Sequence, residues 1–119
     1  SVYWNMGWSP DSRRLCFKAA KADGTLEVAI IDAVPGHHNL TVRHSGKVSI
    51  NADFAWHPRG DRIVYAMRCT ERNQVQLYEF NPNNDLPPKL FDGQAVDRNN
   101  TDCCWTPDGK RLIVVSGDF

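Results

Sequence analysis

Three asparagine or aspartate side chains recur at one position of this chain: Asn5, Asp53 and Asp102 each stand three residues before a tryptophan. Two residues ahead of them lie Tyr3, Asn51 and Asn100. A ring of such carbonyl and carboxylate oxygens could hold waters or a hard cation such as Ca2+. The same side chains could instead accept backbone N–H bonds and start a strand, as Asx residues do. Oxygen ligands on separate elements have no sequence spacing to test, so no metal is assigned to them.

The other reactive side chains form no recognisable set. His37 and His38 sit in a Pro-Gly-His-His-Asn loop, with His44 nearby and no accompanying carboxylate pattern. A transition-metal site needs three or four ligands in fixed geometry, so the loop reads as solvated. Cys16, Cys69, Cys103 and Cys104 show no C-x-x-C pairing and no zinc spacing. Cys103 and Cys104 are neighbours on a strand, which sends their side chains to opposite faces. Cys16 reads as a small buried hydrophobe. Four thiols without a framework fit a reducing compartment, or one in which they are simply buried. The chain contains no Gly-x-Ser-x-Gly elbow, Walker loop, dinucleotide fingerprint or His-Glu-x-x-His. Asn39-Leu-Thr41 and Asn99-Asn-Thr101 match the glycosylation acceptor pattern, which has meaning only in a eukaryotic secretory setting. No catalytic residue and no cofactor is expected.

The elements that would position these residues are repeated. Trp8-Ser-Pro-Asp-Ser-Arg-Arg-Leu-Cys-Phe17, Trp56-His-Pro-Arg-Gly-Asp-Arg-Ile-Val-Tyr65 and Trp105-Thr-Pro-Asp-Gly-Lys-Arg-Leu-Ile-Val114 say nearly the same thing, with tryptophans 48 and then 49 residues apart. Such a period marks a repeat architecture. Pro10, Pro58 and Pro107 fix φ at the first turn position, and the Asp or Gly that follows tolerates the rest of the turn. Apolar β-branched runs flank it, so each motif is a β-hairpin with a tryptophan near the end of its first strand. Arg14, Arg62 and Arg111 open the second strand beside Asp11, Asp61 and Asp108, a pairing suited to locking the corner. His57 replaces the Ser or Thr of the other copies and serves the turn. A second hairpin follows each of the first two motifs, with strands at Leu26–Ile31 and Leu40–Arg43, then at Val75–Phe80 and Lys89–Phe91. No window sustains the period of an amphipathic helix.

Trp-x-Pro-[Asp/Arg]-[Gly/Ser]-x-Arg followed by a β run resembles the signature of TolB-like propeller repeats, distant cousins of WD-repeat blades. Trp105 to Val114 matches almost letter for letter, Trp8 to Phe17 with Ser12 in place of Gly, and Trp56 to Tyr65 less closely, with His57 and Arg59. The resemblance implies an all-β chain of β-propeller blades, each of four antiparallel strands, with Trp8, Trp56 and Trp105 packed between blades. It implies contacts with proteins through the faces and channel of a ring, a non-enzymatic binding or scaffolding role. Similar blades also occur in peptidase propeller domains, in metal-dependent oligogalacturonate lyases and in many bacterial proteins, so a fragment of a larger propeller enzyme is the alternative. Trp4 breaks the repeat pattern, its counterparts being Ala52 and Thr101. It would face the channel as a binding aromatic or shield the N-terminal edge.

At 119 residues the chain holds about two and a half blades: one over 2–48, a second over 49–97 and half a blade over 98–119. Propellers close with four to eight blades, so the chain is expected either to be a piece of a larger propeller or to assemble. Two copies supply five blade equivalents if their orphan hairpins pair across the subunit boundary. Closed symmetry is common among homo-oligomers, which favours a homodimer. Lys plus Arg equals Asp plus Glu, giving zero formal net charge and excluding the basic face of a nucleic-acid or membrane-surface binder. No apolar run approaches the roughly 20 residues that span a bilayer. A soluble protein of the cytoplasm or the periplasm is expected.

Overall fold

Three antiparallel sheets, of four, four and two strands, account for the architecture. The computed structural model describes residues 6–36 and 39–118, apart from the side chains of residues 51 and 52, and none of the described residues is helical. The first sheet runs in chain order through β1 (Gly7–Trp8), β2 (Arg14–Ala20), β3 (Leu26–Asp32) and β4 (Leu40–Gly46). The second does the same through β5 (Ile50–Trp56), β6 (Ile63–Cys69), β7 (Gln74–Phe80) and β8 (Lys89–Leu90). The third is the hairpin of β9 (Asn99–Trp105) and β10 (Leu112–Gly117). The strands fall where the β-branched and aromatic runs predict them, and β4 extends past its expected end to Gly46. The described residues do not close a ring.

The three motif turns share one geometry. Ser9, His57 and Thr106 each accept a backbone bond from the residue three positions on, at 2.8–2.9 Å, and each donates its own N–H to the carbonyl of Arg14, Arg62 or Arg111. The fourth turn residue has positive φ in every copy: Ser12 at 60°, Gly60 at 76° and Gly109 at 71°. This is a type I turn followed by a left-handed residue, a common solution for short hairpin loops. Ser9 and Thr106 reinforce it by donating their hydroxyls to Asp11 and Asp108, both at 2.6 Å. Those carboxylates also accept N–H bonds from Arg13 and Lys110.

The sheets stack face to face, and strand alternation divides the core in two. Ile63, Tyr65, Met67 and Phe80 of the middle sheet meet Cys16, Val28 and Ile30 of the first, with Ile50 and Phe54 beside them. The opposite face, Val64, Ala66 and Leu77, meets Cys103, Trp105, Leu112 and Val114 of the third. Both faces of β6 are therefore covered, and Ile63 to Met67 are buried without a break. That pattern explains why β6 reads as a continuous apolar run rather than an alternating one. The inner strands carry the stacking: β1 and β2 lie against β5, and β5, β6 and β7 lie against β9. No described helix is long and apolar enough to cross a membrane.

Candidate functional site: the repeated tryptophan seat

Each motif ends its first strand on a tryptophan and carries an arginine at or immediately before the start of its second. The structure joins the tryptophan of one copy to the arginine of the copy before it. The Arg14 guanidinium lies 5.2 Å from the centre of the Trp56 ring. Arg62 lies 4.8 Å from the Trp105 ring and 5.6 Å from Phe91. A guanidinium over an indole face is attractive by roughly 0.5–2 kcal/mol, depending on desolvation. Trp56 further donates its Nε1–H to the Gly7 carbonyl at 2.9 Å. Gly7 is required there, because a Cβ would stand 2.8 Å from the Phe54 carbonyl oxygen and 3.0 Å from the Phe54 Cβ. The residue ahead of the tryptophan is small in all three copies, Gly7, Ala55 and Cys104, and in the first of them it admits the next sheet.

Among the described residues no ion pair joins these arginines to the turn aspartates, although the Arg14 charge adds to what lowers Asp11, and Asp61 faces Arg59 at 3.4 Å. Asp11 and Asp108 are engaged by their own turns, and those bonds to Ser9 and Thr106 and to the turn N–H groups hold both carboxyls below the usual range. Arg62 pairs instead with Glu79 on β7 at 2.6 Å. Glu79 also draws Lys89 to 3.7 Å. An open cleft of about 290 Å3 is lined by Arg62 and Lys89 together with the carboxylates of Glu79 and Asp61, a poor seat for an anion.

His57 does more than close its turn. It is 4% exposed; its Nδ1 accepts the Arg59 N–H at 3.1 Å, which leaves Nε2–H to donate to the Gly109 carbonyl at 2.8 Å. Its ring also meets Trp105 edge-on at 4.6 Å. The side chain therefore bolts the turn of the middle sheet to the turn of the third. The nearest signal in the sequence is its substitution for Ser or Thr in the motif.

A buried amide network was not legible in the sequence. The Gln94 side chain acts as a short piece of strand beside β7, its Oε1 accepting the Leu77 N–H at 2.7 Å and its Nε2 donating to the Leu77 carbonyl at 2.9 Å. Asn100, 1% exposed, donates to Gln94 Oε1 and to the Ala95 carbonyl and accepts the Ser116 hydroxyl. Gln76, fully buried, donates to the Arg98 carbonyl and accepts from Arg72. Asn100, considered from sequence as a water or cation ligand, has its amide committed to these structural bonds.

Tyr3, Trp4, Asn5, His37 and His38 lie outside the described residues, as does the Asn51 side chain. Asp53 and Asp102 are both exposed, on β5 and β9. Asp102 accepts the Cys103 N–H at 2.8 Å from the middle of β9, so it does not start the strand. Among the described residues no group of three or more His, Cys, Asp or Glu side chains could hold a metal ion. All four cysteines are free, with Cys16 and Cys69 buried and Cys104 exposed. Burial pushes the Cys103 thiol up to about 12.

The ends of the stack differ from its middle. Trp8 was expected between blades, yet it is 53% exposed, because no described sheet stands on its side of β1. Arg111, at the other end, is exposed, and among the described residues no indole lies over it. No protein-family model matches the chain, and no curated protein matches it either.

Proposed function

We propose that the chain is a β-propeller module for protein binding or scaffolding, in which each four-stranded sheet is a blade and β9–β10 is the inner hairpin of a third. The observation that carries this reading is the indole–guanidinium seat, built twice by the same motif positions between successive sheets. A stack that repeats one contact at a fixed period is a quasi-one-dimensional array, whose neighbours cover each other's apolar faces. Sheets stacked in chain order, with the tryptophan-bearing strands innermost at each contact, are what a turn of a propeller requires. The resemblance to TolB-like repeats supports the same role, contact with proteins through the faces of a ring.

Self-association would complete that ring, with a homodimer as the simplest form. Two copies would place five blades around one axis if their two-stranded sheets join edge to edge, or six sheets if those stay separate, both within the usual range for propellers. Electron microscopy of the purified chain tests the reading. Ring-shaped particles with a central channel are expected, and open three-layer stacks at all concentrations would refute it. Metal analysis of the same sample addresses the enzymatic alternative: stoichiometric divalent metal after purification would move the reading towards a metal-dependent lyase.

A further inference from the structure

By strand register and the repeat period, each end of the stack lacks what the other end offers. On the first sheet, Trp8, Leu15, Phe17, Ala29, Ile31, Leu40 and Val42 fall on one face by strand register. Trp8, Leu40 and Val42 on it are 53%, 57% and 45% exposed. On the third sheet, Cys104 pairs with Ile113 and Asp102 with Val115 on the face away from the middle sheet. Ile113 and Val115 are 57% and 52% exposed, whereas their counterparts one repeat earlier, Val64 and Ala66, are 0% and 2% exposed beneath the next sheet. Large apolar faces left bare on a small domain mark association sites.

We propose that a second copy of this chain docks head to tail, its Trp8 face seated on the Arg111 face of the first. The contact rests on the blade reading above and specifies its polarity and its residues. It continues the two stackings already made inside the chain. Trp8 takes the place that Trp56 holds on Arg14 and Trp105 on Arg62. Cys104 takes the place that Ala55, which also carries a Cβ, holds in the second stacking, so this contact is spaced more widely than the one at Gly7. Met6 stands where Phe54 stands. Such a contact is heterologous, and it closes when the tail of the second copy meets the head of the first. The sheet faces make it, rather than the free edge of β10.

The position equivalent to Cys104 lies close to the next sheet: a Cβ at Gly7 stands 3.0 Å from the Phe54 Cβ. In the head-to-tail assembly a contact widened enough to admit the Cys104 side chain brings its Cβ to the roughly 3.5–4.5 Å that a disulfide needs from the residue at position 6 of the neighbour. The test has two parts on the full 119-residue chain. Light scattering coupled to size exclusion should give the wild type a mass of two chains of 13.5 kDa each. Trp8→Ala and Ile113→Glu, both on exposed positions, should each raise the dissociation constant by about 30-fold or more, the loss typical of a buried interface anchor. With oxidised glutathione as the electron acceptor, M6C should form an intermolecular disulfide to Cys104, found by peptide mapping and absent from M6C/C104S. A monomeric wild type overturns the inference together with the ring. An assembled wild type that ignores both substitutions and gives no such cross-link overturns the inference alone, leaving a ring closed by other surfaces.

Discussion

Gly109→Ala tests the bolt between the middle and third sheets, because its cost can be separated from that of the turn. Gly60 and Gly109 occupy the same turn position with nearly the same φ, 76° and 71°. A Cβ at Gly60 meets nothing within 4 Å, so Gly60→Ala carries only the left-handed strain, roughly 1–2 kcal/mol. A Cβ at Gly109 would stand 2.5 Å from His57 Cε1 and 2.6 Å from Nε2. His57 is 4% exposed and cannot swing into solvent without leaving the Gly109 carbonyl and the Trp105 ring. Losing a buried hydrogen bond and an aromatic contact adds about 1–3 kcal/mol. Gly109→Ala should therefore cost about 2–5 kcal/mol in urea unfolding followed by tryptophan fluorescence, and Gly60→Ala only about 1–2 kcal/mol. The excess should shrink in the His57→Ser background, which installs the residue found in the first motif. Equal costs for the two glycines, or an excess that survives His57→Ser, would refute the bolt.

Trp56→Ala should destabilise the chain by about 3 kcal/mol, the lower end for truncating a large aromatic, whereas Trp8→Ala, read below the concentration of any association, should cost under about 0.5 kcal/mol. Denaturation midpoints of the two variants compare them directly. The folded Asp11 and Asp108 carboxyls lie below their usual value and return to it on unfolding, so their contribution is complete above about pH 4 and disappears as the pH falls through the folded values. Thermal melts from pH 2 to 7 should show an acid limb (roughly the carboxylate range) that flattens in Asp11→Asn/Asp108→Asn. Thiol titration of the dilute native chain at about pH 8 should find one fast group, the exposed Cys104, with Cys16, Cys69 and the elevated Cys103 reacting only after denaturant is added.

The hairpins were legible because their determinants are local. Proline, an Asx residue and a left-handed position specify the turn within six residues, and the flanking β-branched runs specify the strands. The position of Trp56 at a strand end was equally plain. Its partner was not, since Arg14 is 42 residues away and only the stacking of sheets brings them together. The repeated Asp beside each Arg suggested a corner lock, but the Ser9 and Thr106 hydroxyls and the turn N–H groups claim those carboxylates first. Gln94 and Gln76 carried no signal because a glutamine that imitates a strand looks, in sequence, like any polar loop residue.

The repeat itself exposes what no single motif shows. Position by position, Cys16, Val64 and Ile113 are equivalent, and the first two are fully buried while the third is open. Had Ile113 faced solvent by design, a polar residue would serve the same strand equally well, because β10 needs only its inner face, Leu112 and Val114, to pack on Val64 and Leu77. An isoleucine beside Val115 on the outer face keeps the apolar character that its buried counterpart Val64 requires. The same holds for Trp8, which retains the full motif although no described residue supplies its guanidinium. The shared tryptophan and the shared apolar character of covered and uncovered positions thus support the head-to-tail contact proposed above, in which one face offers an arginine to Trp8 and the other an indole to Arg111.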